Sequence, residues 1–175
     1  SYLIGSIASG VISSALALGA LYISSLLFDI TTVVQLMDLA RPSHPLIQKL
    51  LLQAPGTYHH SLMVGNLAEQ AAERIGADSL LARVGAYYHD IGKLENTHHF
   101  IENQMEGVNI HDRLDPRTSS ALLHAHVTNG MALARKHRLP AAIRAFIAQH
   151  HGTMRTTYQY MRATKEAGGP LDDAP

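Results

Sequence analysis

The stretch Leu80-Leu81-Ala82-Arg83-Val84-Gly85-Ala86-Tyr87-Tyr88-His89-Asp90-Ile91-Gly92-Lys93 decides how this chain is read. Leu80, Leu81, Val84, Tyr87 and Tyr88 recur at helical spacing and predict a buried helix. At its end a histidine stands beside an aspartate, so an imidazole nitrogen and a carboxylate sit at adjacent backbone positions. Both are ligands for mid-row divalent metals. Gly92 is expected to end the helix, and Lys93 to carry a mobile cation one turn beyond the pair, where it could meet a bound anion. A lone His-Asp pair can equally well just close a helix. Its weight therefore depends on the histidines elsewhere.

Composition narrows what those histidines can do. At 175 residues the chain suits one domain with an attachment. Fourteen basic residues balance fourteen acidic ones with no basic run, which argues against a nucleic-acid polymer as partner. There is no cysteine, which excludes a disulfide framework and a thiolate metal site. A metal site here must be built from nitrogen and oxygen, and twelve histidines supply the nitrogen.

Working outward, residues 2–28 carry no charged side chain, which exceeds the roughly 20 apolar residues of a bilayer span. Gly5, Ser9, Gly10, Ala15, Gly19 and Ser24 are small residues of the kind that let membrane helices approach closely. Residues 1–28 are therefore expected to be a transmembrane helix, the last span of a longer membrane region. Residues 29–56 are expected as a helical linker: Thr31 or Thr32 caps a short helix ending before Arg41-Pro42, and Pro45 opens another. Thr57 is expected to cap a long helix with Leu62, Val64, Leu67, Ala68, Ala71 and Ile75 on its apolar face, ended by Gly76. Asp78 caps the helix leading to His89. Residues 94–114 are polar and read as a loop. Asp115-Pro116 starts a helix running to about His137; Pro140 opens one reaching His151, closed by Gly152; residues 154–166 form a last helix. Residues 168–175 read as a flexible tail. No strand-like alternation occurs, so the fold class is all-α.

Several histidines lie on the apolar faces of these helices. His60 shares a face with Val64, Leu67 and Ala71, and His126 with Leu122, Val127, Gly130 and Leu133; His150 and His151 end the helix of Ile143, Phe146 and Ile147. A buried imidazole without a partner is costly. Each alone could bond a backbone carbonyl, but several converging on one core need a shared reason, and a metal provides it.

The order His60, His89-Asp90, His126, His150-His151 resembles the HD-domain metal phosphohydrolases. Three longer strings narrow the likeness: 54–61 (Ala-Pro-Gly-Thr-Tyr-His-His-Ser), 85–93, and 100–104 (Phe-Ile-Glu-Asn-Gln). These are similar to the 7TM-HD, PgpH-type cyclic-di-AMP phosphodiesterases, from residue 3 to residue 167. The resemblance implies an HD-domain helical bundle over residues 57–167 behind one transmembrane helix. It implies His60, His89 and Asp90 as ligands of one ion, with His126, His150 and His151 holding a second and Asp90 bridging. It also implies a last aspartate ligand that no motif after His151 supplies; Asp172 and Asp173 sit in a Gly/Pro-rich tail and are not assigned. The chain is accordingly read as cut at both ends, and this piece as inactive if that ligand is essential.

The activity implied is a metal-dependent phosphodiesterase at the bacterial inner membrane, its HD domain facing the cytoplasm, cleaving cyclic di-AMP to linear pApA. Two divalent ions would activate water and clamp the attacked phosphate, with Asp90 and Lys93 as catalytic groups. Nitrogen-rich ligation favours Mn or Fe over Mg. Oligomerisation is compatible with the sequence. A cyclic-di-GMP enzyme of the HD-GYP type would need Gly-Tyr-Pro after the paired histidines, where Gly152-Thr153-Met154 stands. The alternatives are an HD hydrolase of (p)ppGpp or dNTP, and a nucleotide-binding HD signalling module without turnover. His44, His59, His98, His99, His111, His124 and His137 are expected at the surface or outside the ligand shell.

Overall fold

Helix boundaries follow local chemistry closely in the computed structural model, which describes residues 2–27, 30–104 and 109–171. The first helix, α1, spans Tyr2–Leu27. It is long and apolar enough over Tyr2–Ser24 to cross a membrane, by length and composition, and none of that stretch is buried. Helix α2 spans Val33–Leu39, with the Thr32 hydroxyl accepting from the Gln35 amide. Helix α3, Pro45–Gln53, places its proline where no amide hydrogen is required. Helices α4 (Pro55–Arg74) and α5 (Ser79–Tyr88) form an antiparallel pair around Gly76, whose φ of +69° suits the residue that lacks a Cβ. Asp78 caps α5 through the Leu81 amide. Helix α6 runs Pro116–Lys136 behind an Asp115 cap, α7 spans Ala141–Gln149, and α8 spans Thr157–Ala167. No strand occurs among the described residues.

Helix α5 lies at the centre. Val84, Tyr87 and Tyr88 pack with Ile91 and Leu94 beyond it, with Leu133 and Ala134 of α6, and with Ile143 and Ile147 of α7. The segment expected to be a linker supplies Leu36 and Leu39 from α2 and Leu46, Ile47 and Leu50 from α3 to the same core. Leu50 and Tyr88 are fully buried; a leucine so placed contributes roughly 1.5–3 kcal/mol relative to an exposed one. Tyr88 keeps its polar end satisfied by donating its hydroxyl to the Leu39 carbonyl at 2.8 Å, which ties α5 to α2.

Four local expectations are corrected. Thr57 does not cap α4: the cap is Ala54 and Pro55 takes the first position, leaving Thr57 fully buried inside the first turn. The buried side of α4 is Thr57, Ser61, Gly65 and Ala72, whereas Leu67 and Ile75 are exposed. Gly92 does not end α5, which stops at Tyr88. It lies in the 3₁₀ turn Ile91–Glu95, pressed so closely on α6 that an added Cβ would stand 1.8 Å from the His126 carbonyl oxygen. The polar stretch after it is a chain of short 3₁₀ turns, Thr97–His99, Ile101–Asn103 and Ile110–Arg113. The loop residues 105–108 and, of the expected tail, residues 172–175 with Asp172 and Asp173 lie outside the described residues.

His111, expected at the surface, is buried. Its Nε2 lies 2.7 Å from the His99 carbonyl and its Nδ1 2.8 Å from the Ser119 hydroxyl. A carbonyl only accepts, so Nε2 carries the proton and Nδ1 accepts from serine. Arg162 of α8 donates to the carbonyls of His111 and Leu114, clamping the turn segment onto the helices.

Candidate metal centre

The site assembles where four backbone segments end or bend. Helix α5 delivers His89 at its C-terminal cap and Asp90 immediately after it. Helix α4 brings His60 from its second turn, α6 brings His126 from its middle, and α7 brings His150 at its cap with His151 next. Gly92 sets the spacing between α5 and α6, because only a residue without a side chain allows Asp90 to approach His126 this closely.

Asp90 stands at the centre and is 4 % exposed. Its two oxygens face different histidines. Oδ2 lies 3.1 Å from His89 Nε2 and 3.9 Å from His60 Nε2. Oδ1 lies 3.4 Å from His126 Nε2 and 3.6 Å from His150 Nε2. His126 Nε2 is also 3.1 Å from both His150 Nε2 and His151 Nε2. Two donor sets result, His60-His89-Asp90 and His126-His150-His151, each with ligand atoms within 4.8 Å of one another. His60 is the open edge, its side chain 45 % exposed.

Three of the rings are oriented in the same way. Nδ1 of His89 meets the Ala86 carbonyl at 2.6 Å, Nδ1 of His150 meets the Ile147 carbonyl at 2.9 Å, and Nδ1 of His126 meets the Leu123 carbonyl. Each carbonyl takes the Nδ1 proton, which fixes the tautomer and turns Nε2 toward the centre. Such facing nitrogens have no proton between them when neutral, so the cluster fits cations better than it fits itself. The donor set of imidazole nitrogens and one shared carboxylate can hold metal ions.

Charge supports that fit. Burial alone would raise the Asp90 pKa, but the hydrogen bond and charge of His89 and the Lys93 ammonium outweigh it and keep the carboxylate ionised. Burial lowers the pKa of His126, His150 and His151, favouring the neutral imidazoles that offer a lone pair. His89 goes the other way: burial lowers its pKa, but the hydrogen bond and charge of Asp90 raise it further.

Lys93 differs from its expected form. It is not a mobile cation: its ammonium lies 2.9 Å from Asp90 Oδ2 and 2.7 Å from Glu102 Oε1, over the Phe100 ring, and its side chain is 14 % exposed. The motifs gave Glu102 no role, and neither Thr57 nor Asn103 was placed near the centre. Thr57 Oγ1 donates to Glu102 Oε1 at 3.0 Å and accepts from Asn103 Nδ2 at 2.8 Å. The pointers to them were the strings 54–61 and 100–104, neither of which marks these residues by periodicity. His44 packs edge-on against Tyr88, away from the centre. His59 meets the Tyr58 ring edge-on, and the exposed His124 ring stands 6.4 Å from that of His151, outside both donor sets.

Known proteins match the chain at the level of family, sequence and structure. The family described as HD domain matches residues 57–174. A Listeria monocytogenes protein named cyclic-di-AMP phosphodiesterase PgpH is 44 % identical over 159 residues, covering 91 % of this chain and 22 % of its own length. Its Bacillus subtilis namesake is 43 % identical over 167 residues, covering 95 % and 23 %. The chain thus spans under a quarter of these relatives. Among solved structures, the L. monocytogenes PgpH HD domain in complex with cyclic-di-AMP superposes with a TM-score of 0.71 at 46 % identity, over 78 % of this chain and 62 % of that one.

Proposed function

This chain belongs to the HD domain family, and we propose that it is the hydrolytic part of a membrane-anchored, metal-dependent phosphodiesterase that opens cyclic di-AMP to linear pApA. The observation that carries the reading is the division of Asp90: one oxygen faces His60 and His89, the other His126 and His150. In this proposal His60, His89 and Asp90 hold one divalent ion, and His126, His150 and His151 hold a second with Asp90 shared. Mn or Fe suits these nitrogen-rich ligands better than Mg. Such a pair, when bound, supplies Lewis-acid charge at phosphoryl oxygens and lowers the pKa of water.

The chain's own residues do the rest. The carbonyls of Ala86, Leu123 and Ile147 hold the His89, His126 and His150 rings in the ligating tautomer. Asp90 stays ionised and accepts from Lys93. An ammonium has three N–H donors; Asp90 and Glu102 engage two, and the third is available to a phosphoryl oxygen as negative charge grows there. Water adds across the bond between phosphorus and the 3′ oxygen: its oxygen stays on phosphorus, and a proton ends on the 3′ oxygen. The similar L. monocytogenes HD domain in complex with cyclic-di-AMP supports this choice of substrate.

Membrane anchoring is assigned to α1, whose apolar length suits a bilayer span. Arg41 and Lys49, within about 20 residues of the apolar run, support a cytoplasmic HD domain at the bacterial inner membrane. The test is incubation of the full-length, detergent-solubilised protein and Mn²⁺ with cyclic di-AMP, cyclic di-GMP, ppGpp and a dNTP, with products separated by chromatography. Formation of pApA, absent in a His89→Ala/Asp90→Ala variant, is expected. Cleavage of ppGpp or dNTP with both cyclic dinucleotides left intact overturns the proposal.

A further inference from the structure

Helix α4 and the turn Ile101–Asn103 are joined more tightly than packing alone requires. A Cβ on Gly56 would stand 1.9 Å from the Glu102 carbonyl oxygen, so the two backbones are in direct contact there. The next residue, Thr57, takes three hydrogen bonds to the same turn: its amide to Asn103 Oδ1 at 3.2 Å, its hydroxyl to Glu102 Oε1 at 3.0 Å, and the Asn103 side-chain amide to its Oγ1 at 2.8 Å. Thr57 itself has no exposed surface, so losing a partner would leave its own polar atoms buried and unpaired, which is costly. The outcome of this stitching is the position of a single carboxylate oxygen, Glu102 Oε1, which receives both the Thr57 hydroxyl and the Lys93 ammonium.

We infer that Glu102 is a positioning residue: it divides the Lys93 ammonium between itself and Asp90, keeping the cation beside the centre without letting it take Asp90 Oδ2 from a metal ion. The argument rests on the shared oxygen. Asp90 Oδ2 is the atom that faces His60 and His89, and Lys93 already lies 2.9 Å from it. An ammonium with no other anionic partner would settle fully on that oxygen and compete with a divalent ion for it. Glu102, at the shorter distance of 2.7 Å, is a second anionic partner for the ammonium, and the Phe100 ring faces it. Thr57 and Asn103 keep Glu102 from following the ammonium inward. Because α4 also carries His60, the same stitch registers the His60-bearing helix against Lys93.

This inference rests on the proposed metal-dependent hydrolysis, and its test separates the two. Mn²⁺ affinity by titration calorimetry and kcat and KM on cyclic di-AMP are measured for the chain and its Glu102→Gln, Lys93→Gln and doubly substituted forms, with thermal melts as a folding control. Glu102→Gln should weaken Mn²⁺ binding and lower kcat by about 10-fold or more, the usual effect of losing an outer-shell partner. Its KM should move less than about 3-fold, because the ammonium acts on charge that develops in the transition state. In the Lys93→Gln background the same substitution should change both quantities less than about twofold, since a residue that acts through another has nothing left to act on. Equal losses in both backgrounds would mean that Glu102 merely supports the fold, and would overturn the inference. So would an unchanged Mn²⁺ affinity and kcat in Glu102→Gln itself. If the parent chain binds Mn²⁺ but hydrolyses no cyclic dinucleotide, the proposed activity fails while the Mn²⁺ affinities still decide the role of Glu102. Should Glu102→Gln not fold, Glu102→Asp keeps the charge with a shorter reach; affinity intermediate between the parent and Lys93-coupled loss is expected, and parent affinity refutes.

Discussion

Replacing Gly92 with alanine should damage stability and metal binding together, through one steric conflict. The added Cβ would stand 1.8 Å from the His126 carbonyl oxygen and 2.4 Å from the Gly130 amide nitrogen, both backbone atoms that no rotamer change can move. Ordinary contact begins near 3.4 Å, so the 3₁₀ turn and α6 must part by about 1.6 Å. Overpacking of this kind costs about 1–3 kcal/mol, and a backbone-to-backbone clash belongs at or above the upper end. For a domain of this size that lowers Tm by roughly 6–12 °C. The parting also reaches Asp90, two residues earlier, whose Oδ1 now lies 3.4 Å from His126 Nε2. Two atoms ligating one ion at roughly 2.1 Å each can be no more than about 4.2 Å apart. An opening of about 1.6 Å along that line puts them near 5 Å, out of reach of a shared ion. Thermal melts and Mn²⁺ titration of Gly92→Ala are the assay. A variant that melts like the parent and binds Mn²⁺ with parent affinity would refute the claim that Gly92 sets the approach of α5 to α6.

Two further predictions follow from named contacts. His89 has a raised pKa, so near neutral pH part of the metal-free population carries a proton there, which ligation must expel. Mn²⁺ binding should therefore release protons and tighten as pH rises through the raised value; titration heats at pH 7 that do not vary with buffer ionisation enthalpy would contradict this. Tyr88→Phe leaves the buried Leu39 carbonyl without its partner and should cost about 1–3 kcal/mol, read as a lower denaturation midpoint with unchanged Mn²⁺ stoichiometry. An unchanged midpoint would mean that α2 is not held to α5 by this bond.

Helix positions were legible because their ends carry short-range chemistry: the Thr32, Asp78 and Asp115 caps and the left-handed Gly76 each act within a few residues. The order of the site histidines was legible for a related reason, since ligand type and spacing along helices survive in a linear reading. The inward face of α4 was not. It buries Thr57, Ser61 and Gly65, small or polar residues that hydropathy does not mark, while Leu67 points outward. His60 reaches the centre from that face all the same, so apolar periodicity is not what turns it inward. Glu102 and His111 were not legible because Glu102 is met by Thr57, 45 residues away, and the His111 ring is held between the His99 carbonyl and Ser119, and a polar stretch of short turns has no period to reveal such pairings. Lys93 was expected to be mobile because its second anionic partner, Glu102, lies in that same stretch.

The central claim is that Asp90 stands between two cation sites, one on each oxygen. Electron paramagnetic resonance of the chain titrated with Mn²⁺ tests it most directly. The account predicts two Mn²⁺ per chain with the spectrum of an exchange-coupled pair, collapsing to an uncoupled signal in Asp90→Asn. A single uncoupled Mn²⁺ in the parent chain, or a coupled pair that survives Asp90→Asn, would contradict it.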